Sequence, residues 1–154
     1  MQSKSKNIVF AAVLLLLFGL SYARDTLFIL INAGIDGKEF NYANMELPPY
    51  IKQLSAPDLV RFKWLMAAVF SFLFMLITMG AIEFYFRERQ YTRLTGVIYL
   101  ILGVLAVTVG LLDHIFTLSH RFYAVLHFAE TIIQSPLVLL LLFSVYMLAL
   151  RKTE

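Results

Sequence analysis

Four long apolar runs decide which folds are open to this chain. They lie at about residues 7–32, 57–86, 94–116 and 121–150. A helix needs about 20 mostly apolar residues to cross the hydrocarbon core of a bilayer, and each run is long enough. The sequence therefore predicts an all-α membrane protein, a four-transmembrane-helix bundle that forms a single integral membrane domain over residues 1–154.

The composition of the chain argues against an ordinary soluble domain. Hydrophobic residues make up 60% of the sequence and charged residues 15%, whereas a typical globular chain has about 45–50% and about 25%. A soluble protein of this size would have to expose large apolar patches. Because the sequence contains no cysteine, disulfides, thiolate catalysis and cysteine-bound metals are also excluded.

One polar loop of moderate length is predicted at about residues 33–56. Gly34 is predicted to end the preceding helix in the left-handed conformation. Ser55 is predicted to cap the following helix, with Pro57 in its first turn and Asp58 three residues after the cap. The loop therefore separates the first two membrane helices.

The basic residues indicate the orientation, because Lys and Arg are enriched in short cytoplasmic loops. With the N-terminus inside, seven basic residues flank the inner ends of the runs and five lie outside. The short hairpin with Arg87, Arg89 and Arg93 contributes most to this bias. We therefore predict both termini on the cytoplasmic side. Compact loops without an N-glycosylation sequon favour a bacterial inner membrane.

The N-terminal segment has a second interpretation. Two lysines, the apolar run after them and the small residues around Ala23 resemble a secretory signal peptide with its cleavage site. Cleavage after Ala23 would leave three spans. We expect the segment to be retained, because an apolar pattern resumes at residues 26–31.

Polar side chains inside the apolar runs form the candidate functional site, because a charge in a bilayer is costly unless it is paired or hydrated. We predict one cluster in the outer part of the first, third and fourth helices. Arg24 is either an anchor that reaches the outer interface or a buried arginine paired with an acid on another helix, in which case we expect Glu130. The members of the cluster are Arg24, Asp25, Asp113, His114, His127, Glu130 and Gln134.

The richest polar stripe is predicted on the fourth helix. Glu130 follows His127 by three residues and precedes Gln134 by four, which places all three on one helix face. They form either a hydrogen-bonded seam between helices or a proton relay or ligand site. Just beyond them, Pro136 is expected to kink the helix and free the carbonyl of Ile132.

No metal or cofactor is expected, although the chain has three histidines. His120 and His127 lie two helical turns apart, too far for a compact pair of metal ligands. His114 and His127 lie at similar predicted depths, as two haem ligands would, but this pattern is unspecific.

A stripe of small residues marks the third helix. Gly96, Gly103 and Gly110 recur at seven-residue intervals, which places them on one helix face. Small residues let another helix approach closely. We therefore predict that this glycine face packs against a helix of the bundle or of a partner.

An ion pair is predicted near the inner end of the second helix. Glu83 precedes Arg87 by four residues, the spacing at which opposite charges meet on a helix surface. This pair would account for Glu83 without any functional role.

These observations favour a non-catalytic accessory or scaffold subunit of a larger membrane complex. The chain lacks glycine-rich nucleotide-binding motifs and a Gly-x-Ser-x-Gly nucleophile motif, so we do not expect an enzyme. The alternative is an oligomeric transporter, channel or proton-handling protein that uses the polar cluster. The expected partners are the lipid bilayer and another membrane protein or a second copy, and nucleic acid is not expected.

Overall fold

The computed structural model describes residues 2–37, 48–116 and 131–151. Within these ranges the chain is helical and contains no strand. Its helices are α1 (Gln2–Ile35), α2 (Pro49–Lys52), α3 (Ala56–Phe86), α4 (Arg89–Phe116) and α5 (Leu137–Arg151). The prediction of an all-helical fold is therefore confirmed for the described part of the chain.

Three of these helices are long and apolar enough to cross a membrane, and their spans are Ser5–Ile35, Ala56–Phe86 and Arg89–Thr108. The predicted fourth span, at about residues 121–150, lies partly outside the described residues. What is described of it is helical at 131–133 and again in α5, an apolar helix of 15 residues.

The second spanning helix, α3, lies at the centre of the described fold. It contacts α1, α4 and α5. Of the residues in the most apolar 18-residue stretch of α3, 28% are buried, against 6% in that of α1 and 11% in that of α4. The other two spans therefore present most of their apolar side chains to the outside of the described bundle.

The largest apolar cluster joins all four longer helices. Fully or almost fully buried side chains meet there: Leu17 of α1, Phe74 and Ile82 of α3, Tyr99 of α4, and Leu139 of α5. A smaller cluster near the start of α3 joins Phe28, Ile31, Ile51, Leu59 and Ala67. These contacts bring α1 and α3 together along most of their length.

The helix ends agree with the sequence at one position and differ at another. Ser55 occupies the N-cap position of α3, as predicted, but its side chain caps no backbone amide, and its hydroxyl instead donates to Asp58 Oδ2 at 2.6 Å. The prediction for Gly34 was wrong: α1 continues to Ile35, and Gly37 takes the left-handed conformation with a φ of 64°. The amide of Asp36 still donates to the carbonyl of Asn32 at 2.9 Å, so the helical bonds run past Gly34.

Polar contacts fix the end of the bundle at which α1 begins and α3 ends. The Nζ of Lys6 donates to the carbonyl oxygen of Tyr85 at 2.8 Å, where the last carbonyls of α3 lack helical partners. Because Lys6 lies near the start of α1 and Tyr85 near the end of α3, the two helices are antiparallel. A lysine at a helix C-terminus also compensates the negative end of the helix dipole.

The structure does not contain the predicted ion pair between Glu83 and Arg87. The carboxylate of Glu83 accepts a hydrogen bond from Thr92 of α4. Arg87 has left the helix and takes the left-handed conformation with a φ of 59°, so the spacing that suggested the pair no longer applies. The prediction assumed that α3 continues through Arg87.

The conformation of Arg87 allows a test of the α3–α4 turn. A residue with a Cβ in the left-handed conformation costs about 1 kcal/mol or more, and glycine avoids that cost. We expect Arg87→Gly to raise the free energy of unfolding by up to about 1 kcal/mol. Arg93→Gly removes the same charge from inside α4 and should lower it by about 1 kcal/mol. Thermal unfolding in detergent measures both, and equal losses would contradict the turn.

Candidate polar site

The side chain of Gln134 connects three parts of the described chain. Its Nε2 donates to the carbonyl oxygen of Ala67 at 2.8 Å and lies 2.7 Å from the Oγ of Ser71, both on α3. Its Oε1 accepts from Nη1 of Arg24 on α1 at 2.9 Å. These residues, together with Asp25, are called the Gln134 network below. Gln134 itself is completely buried.

An interruption of the helix positions Gln134. Residues 134–136 form a turn between the helical residues 131–133 and α5. Pro136 has no amide hydrogen, and its ring clashes with the carbonyl four residues earlier in a regular helix. The carbonyl of Ile132 accepts instead from the amide of Ser135 at 3.2 Å and from its hydroxyl at 2.8 Å. The freed carbonyl that the sequence predicts is therefore bonded locally.

The guanidinium of Arg24 is held entirely inside the protein. The residue is 4% exposed. Besides its bond to Gln134, its Nε donates to Oδ1 of Asp25 at 2.9 Å, and its Nη2 bonds to the same oxygen. Its Cζ also lies 5.8 Å from the ring centre of Phe28. Arg24 is thus buried, and it does not reach out to the interface as an anchor would.

The Gln134 network lies against the first half of the long apolar helix α3. Ala67 and Ser71 follow Trp64, a half-exposed aromatic residue of the kind that marks the membrane interface, by about 5 and 10 Å at the rise of a helix. An arginine at such depth is costly without partners. The carboxylate of Asp25 and the amide oxygen of Gln134 supply those partners.

The other members of the predicted cluster cannot be added to this network. Asp113 and His114 lie near the end of α4, where side chains are outside the described part, and His127 and Glu130 lie outside the described residues. The expected Arg24–Glu130 pair is therefore untested. Among the residues that the structure describes, no three His, Cys, Asp or Glu side chains form a potential metal site.

Two hydroxyl pairs near the other end of the bundle were not predicted from the sequence. Thr78 of α3 and Tyr99 of α4 are linked through their side-chain oxygens at 3.0 Å. Thr95 of α4 lies 3.2 Å from the hydroxyl of Tyr146 of α5. The sequence contained a signal for these pairs, because Thr95 and Tyr99 are four residues apart on one face of the otherwise apolar stretch 94–107.

The glycine face behaves differently along its length. A Cβ at Gly96 would lie 3.4 Å from Cε of Met79 on α3, whereas a Cβ at Gly103 would meet no described atom within 4 Å. Gly110 belongs to the part of α4 whose side-chain environment is outside the described part. Close packing against α3 is therefore present at Gly96, and the surface at Gly103 is open within the described chain.

Comparison of the chain with known protein families, curated proteins and solved structures found no match. The geometry of the chain itself therefore carries the functional argument.

The Gln134 network predicts a specific loss of stability. Gln134→Leu removes the acceptor of Arg24 and the donor to Ala67, and leaving such groups buried without partners costs about 1–3 kcal/mol. Gln90→Leu, at an exposed glutamine in the first turn of α4, is the matched control and should change little. Unfolding in detergent monitored by tryptophan fluorescence compares them.

A double substitution separates the network from simple loss of packing. With Arg24→Met added, Gln134→Leu no longer strands a buried guanidinium, so the double variant should be more stable than the sum of the single losses predicts. Additive losses would show that Arg24 and Gln134 do not interact.

Two glycine substitutions test the packing of α4. Gly96→Leu must displace the flexible end of the Met79 side chain, so we expect a loss of stability at the low end of overpacking, about 1 kcal/mol. Gly103→Leu makes the same chemical change on the same helix but enters open space, so it should leave the stability of the isolated protein unchanged or slightly higher. Thermal unfolding of the purified monomer measures both, and equal losses would contradict the described α3–α4 contact.

Proposed function

We propose that this chain is a non-catalytic accessory or scaffold subunit of a larger membrane complex. The observation that carries the proposal is that the buried polar side chains of the described residues are engaged in hydrogen bonds within the protein. The amide of Gln134 is fully occupied by α1 and α3, and within the described residues no buried side-chain nitrogen or oxygen lacks a hydrogen-bond partner. A polar interior of this kind holds helices together.

The outer surface supports the same proposal. Large apolar side chains of α1 and α4 are exposed, among them Leu15 at 72%, Leu100 at 65% and Val107 at 61%. Lipid covers such a surface in a lone protein, and partner helices cover it in a complex. Because α4 also carries the open glycine at position 103, it offers a close approach to a neighbouring helix.

A second candidate function is an oligomeric transporter, channel or proton-handling protein. One observation favours it: the side chain of Asp25 is 54% exposed although it lies at the depth of the Gln134 network. An exposed carboxylate in a span is a candidate for an ion or proton pathway. Solute or proton flux into proteoliposomes that depends on Asp25 would support this alternative over the subunit proposal.

The proposed topology has four spans, both termini in the cytoplasm, and a bacterial inner membrane around them. Support comes from the charges at one end of the bundle, where Lys6, Arg87, Arg93 and Arg151 lie at or near the ends of the four longer helices. Enrichment of basic residues on the cytoplasmic side assigns this end to the inside.

The chain has no cysteine, so single cysteines can report its topology directly. We expect Ser5→Cys, Glu88→Cys and Thr153→Cys to be protected from a membrane-impermeant maleimide in intact spheroplasts, and Asn44→Cys to be labelled. All four should react after detergent lysis, which is the control. Labelling of Thr153→Cys alone among the inner sites would show an odd number of spans.

Extraction in mild detergent tests the function itself. We expect the tagged protein to co-elute with a larger membrane protein in a fixed ratio, as mass spectrometry of the eluate would show, and the sample to lack a haem absorption band. A homo-oligomer that binds no other protein would contradict the subunit proposal. In that case Asp25 becomes the first position to test for ion or proton movement.

A further inference from the structure

One line of exposed side chains runs along α1 from its middle to its outer end. It consists of Leu15, Phe18, Tyr22, Asp25, Ile29 and Asn32 and is called the α1 line below. The spacing alternates between three and four residues, which is the repeat by which two helices pack side by side. No described helix covers it, so α1 presents a helix-packing seam to its surroundings.

The polar members distinguish the α1 line from a surface that faces only lipid. The carboxylate of Asp25 is about half exposed, and both of its hydrogen bonds within the described chain end on Oδ1. Its second oxygen, Oδ2, can accept a hydrogen bond from outside the bundle. Acyl chains have no donor to offer, whereas a neighbouring helix can supply one.

We propose that the α1 line binds one transmembrane helix of a different protein, and that this helix places a hydrogen-bond donor against Asp25. This inference rests on the proposed function and assigns the docking surface of the subunit. Leu15, Phe18 and Ile29 would provide the packing contacts. Asp25 and Asn32 would fix the register, as single polar residues do in apolar helix interfaces.

A second copy of the chain fits the α1 line less well. Two copies inserted in one membrane have the same orientation, so a pair of α1 helices would be parallel and in register. Asp25 would then face the Asp25 of the other copy, so that two carboxylates, which repel each other and are both acceptors, would oppose each other at the centre of the line. Arg24 cannot supply the donor because it is buried and bonded within its own chain.

Photo-crosslinking in the native membrane tests the proposal without disturbing Asp25. A photoreactive amino acid replaces Tyr22 or Ile29 on the α1 line, or Leu16, which is exposed on another side of α1. We expect the photoreactive residue at Tyr22 or Ile29, but not at Leu16, to crosslink to another protein. The mass of that adduct should differ from twice the mass of the chain. The crosslinked peptide should be a transmembrane segment of another protein with a donor side chain within one turn.

Other crosslinking results would overturn the proposal. A product of twice the chain mass would identify a second copy as the occupant. A crosslink within one chain, which leaves its mass unchanged, would show that the rest of the chain covers the line. No protein adduct from either position would show that lipid covers it.

A substitution series separates this proposal from the proposed function. We expect Asp25→Leu to lower recovery of the co-eluting protein about threefold to tenfold, which is the effect of one interhelical hydrogen bond. Asp25→Asn should lower the recovery less. Glu88→Leu, in the α3–α4 turn, is the control and should leave the recovery unchanged. If the wild-type chain retains its partner and Asp25→Leu retains it equally, the docking surface is wrong and the subunit proposal stands. If the wild-type chain has no partner, the subunit proposal fails first.

Discussion

The side-chain amide of Gln134 is the contact on which the described bundle depends most. In a bilayer no water is present to satisfy buried polar groups, so each must find a partner within the protein. The amide has two functional groups, and it uses them on different helices: its oxygen accepts from α1, and its nitrogen donates to α3. The turn around Pro136 leaves the regular helix and thereby frees the side chain to reach both.

The rest of the packing follows from the same constraint. Apolar side chains gain little by moving from lipid to a helix interface, so helices in membranes are joined by close packing and by hydrogen bonds. The structure uses both, because Gly96 lets α4 approach Met79 while Thr78 and Tyr99 link α3 to α4 nearby. The central position of α3 results from these contacts, since it provides partners to the helices on either side.

The sequence predicted three of the four long helices, whereas the fourth predicted span lies partly outside the described residues, and it predicted the polar site only in part. Run length and the Ser55–Asp58 start signal indicate where helices lie, because these signals are local. The prediction for Gly34 failed because a glycine can also continue a helix. Only the chain beyond it shows that Gly37 takes the left-handed conformation. The spacing from His127 to Gln134 assumed an uninterrupted helix. Since the helix breaks at Gln134, its side chain faces Arg24 and Ala67 at a position that spacing alone does not give.

The site also shows why pairing is hard to predict from a sequence. Helical rise predicts a depth for Arg24, but it does not tell which helix lies beside it. The structure pairs Arg24 with the adjacent Asp25 and with a neutral amide, so this local pair carries no net charge. A carboxylate on another helix is therefore not required to compensate the charge of Arg24. The exposed half of Asp25 remains the one described polar feature of the network that faces outward, which moves the functional question from the interior of the bundle to its surface.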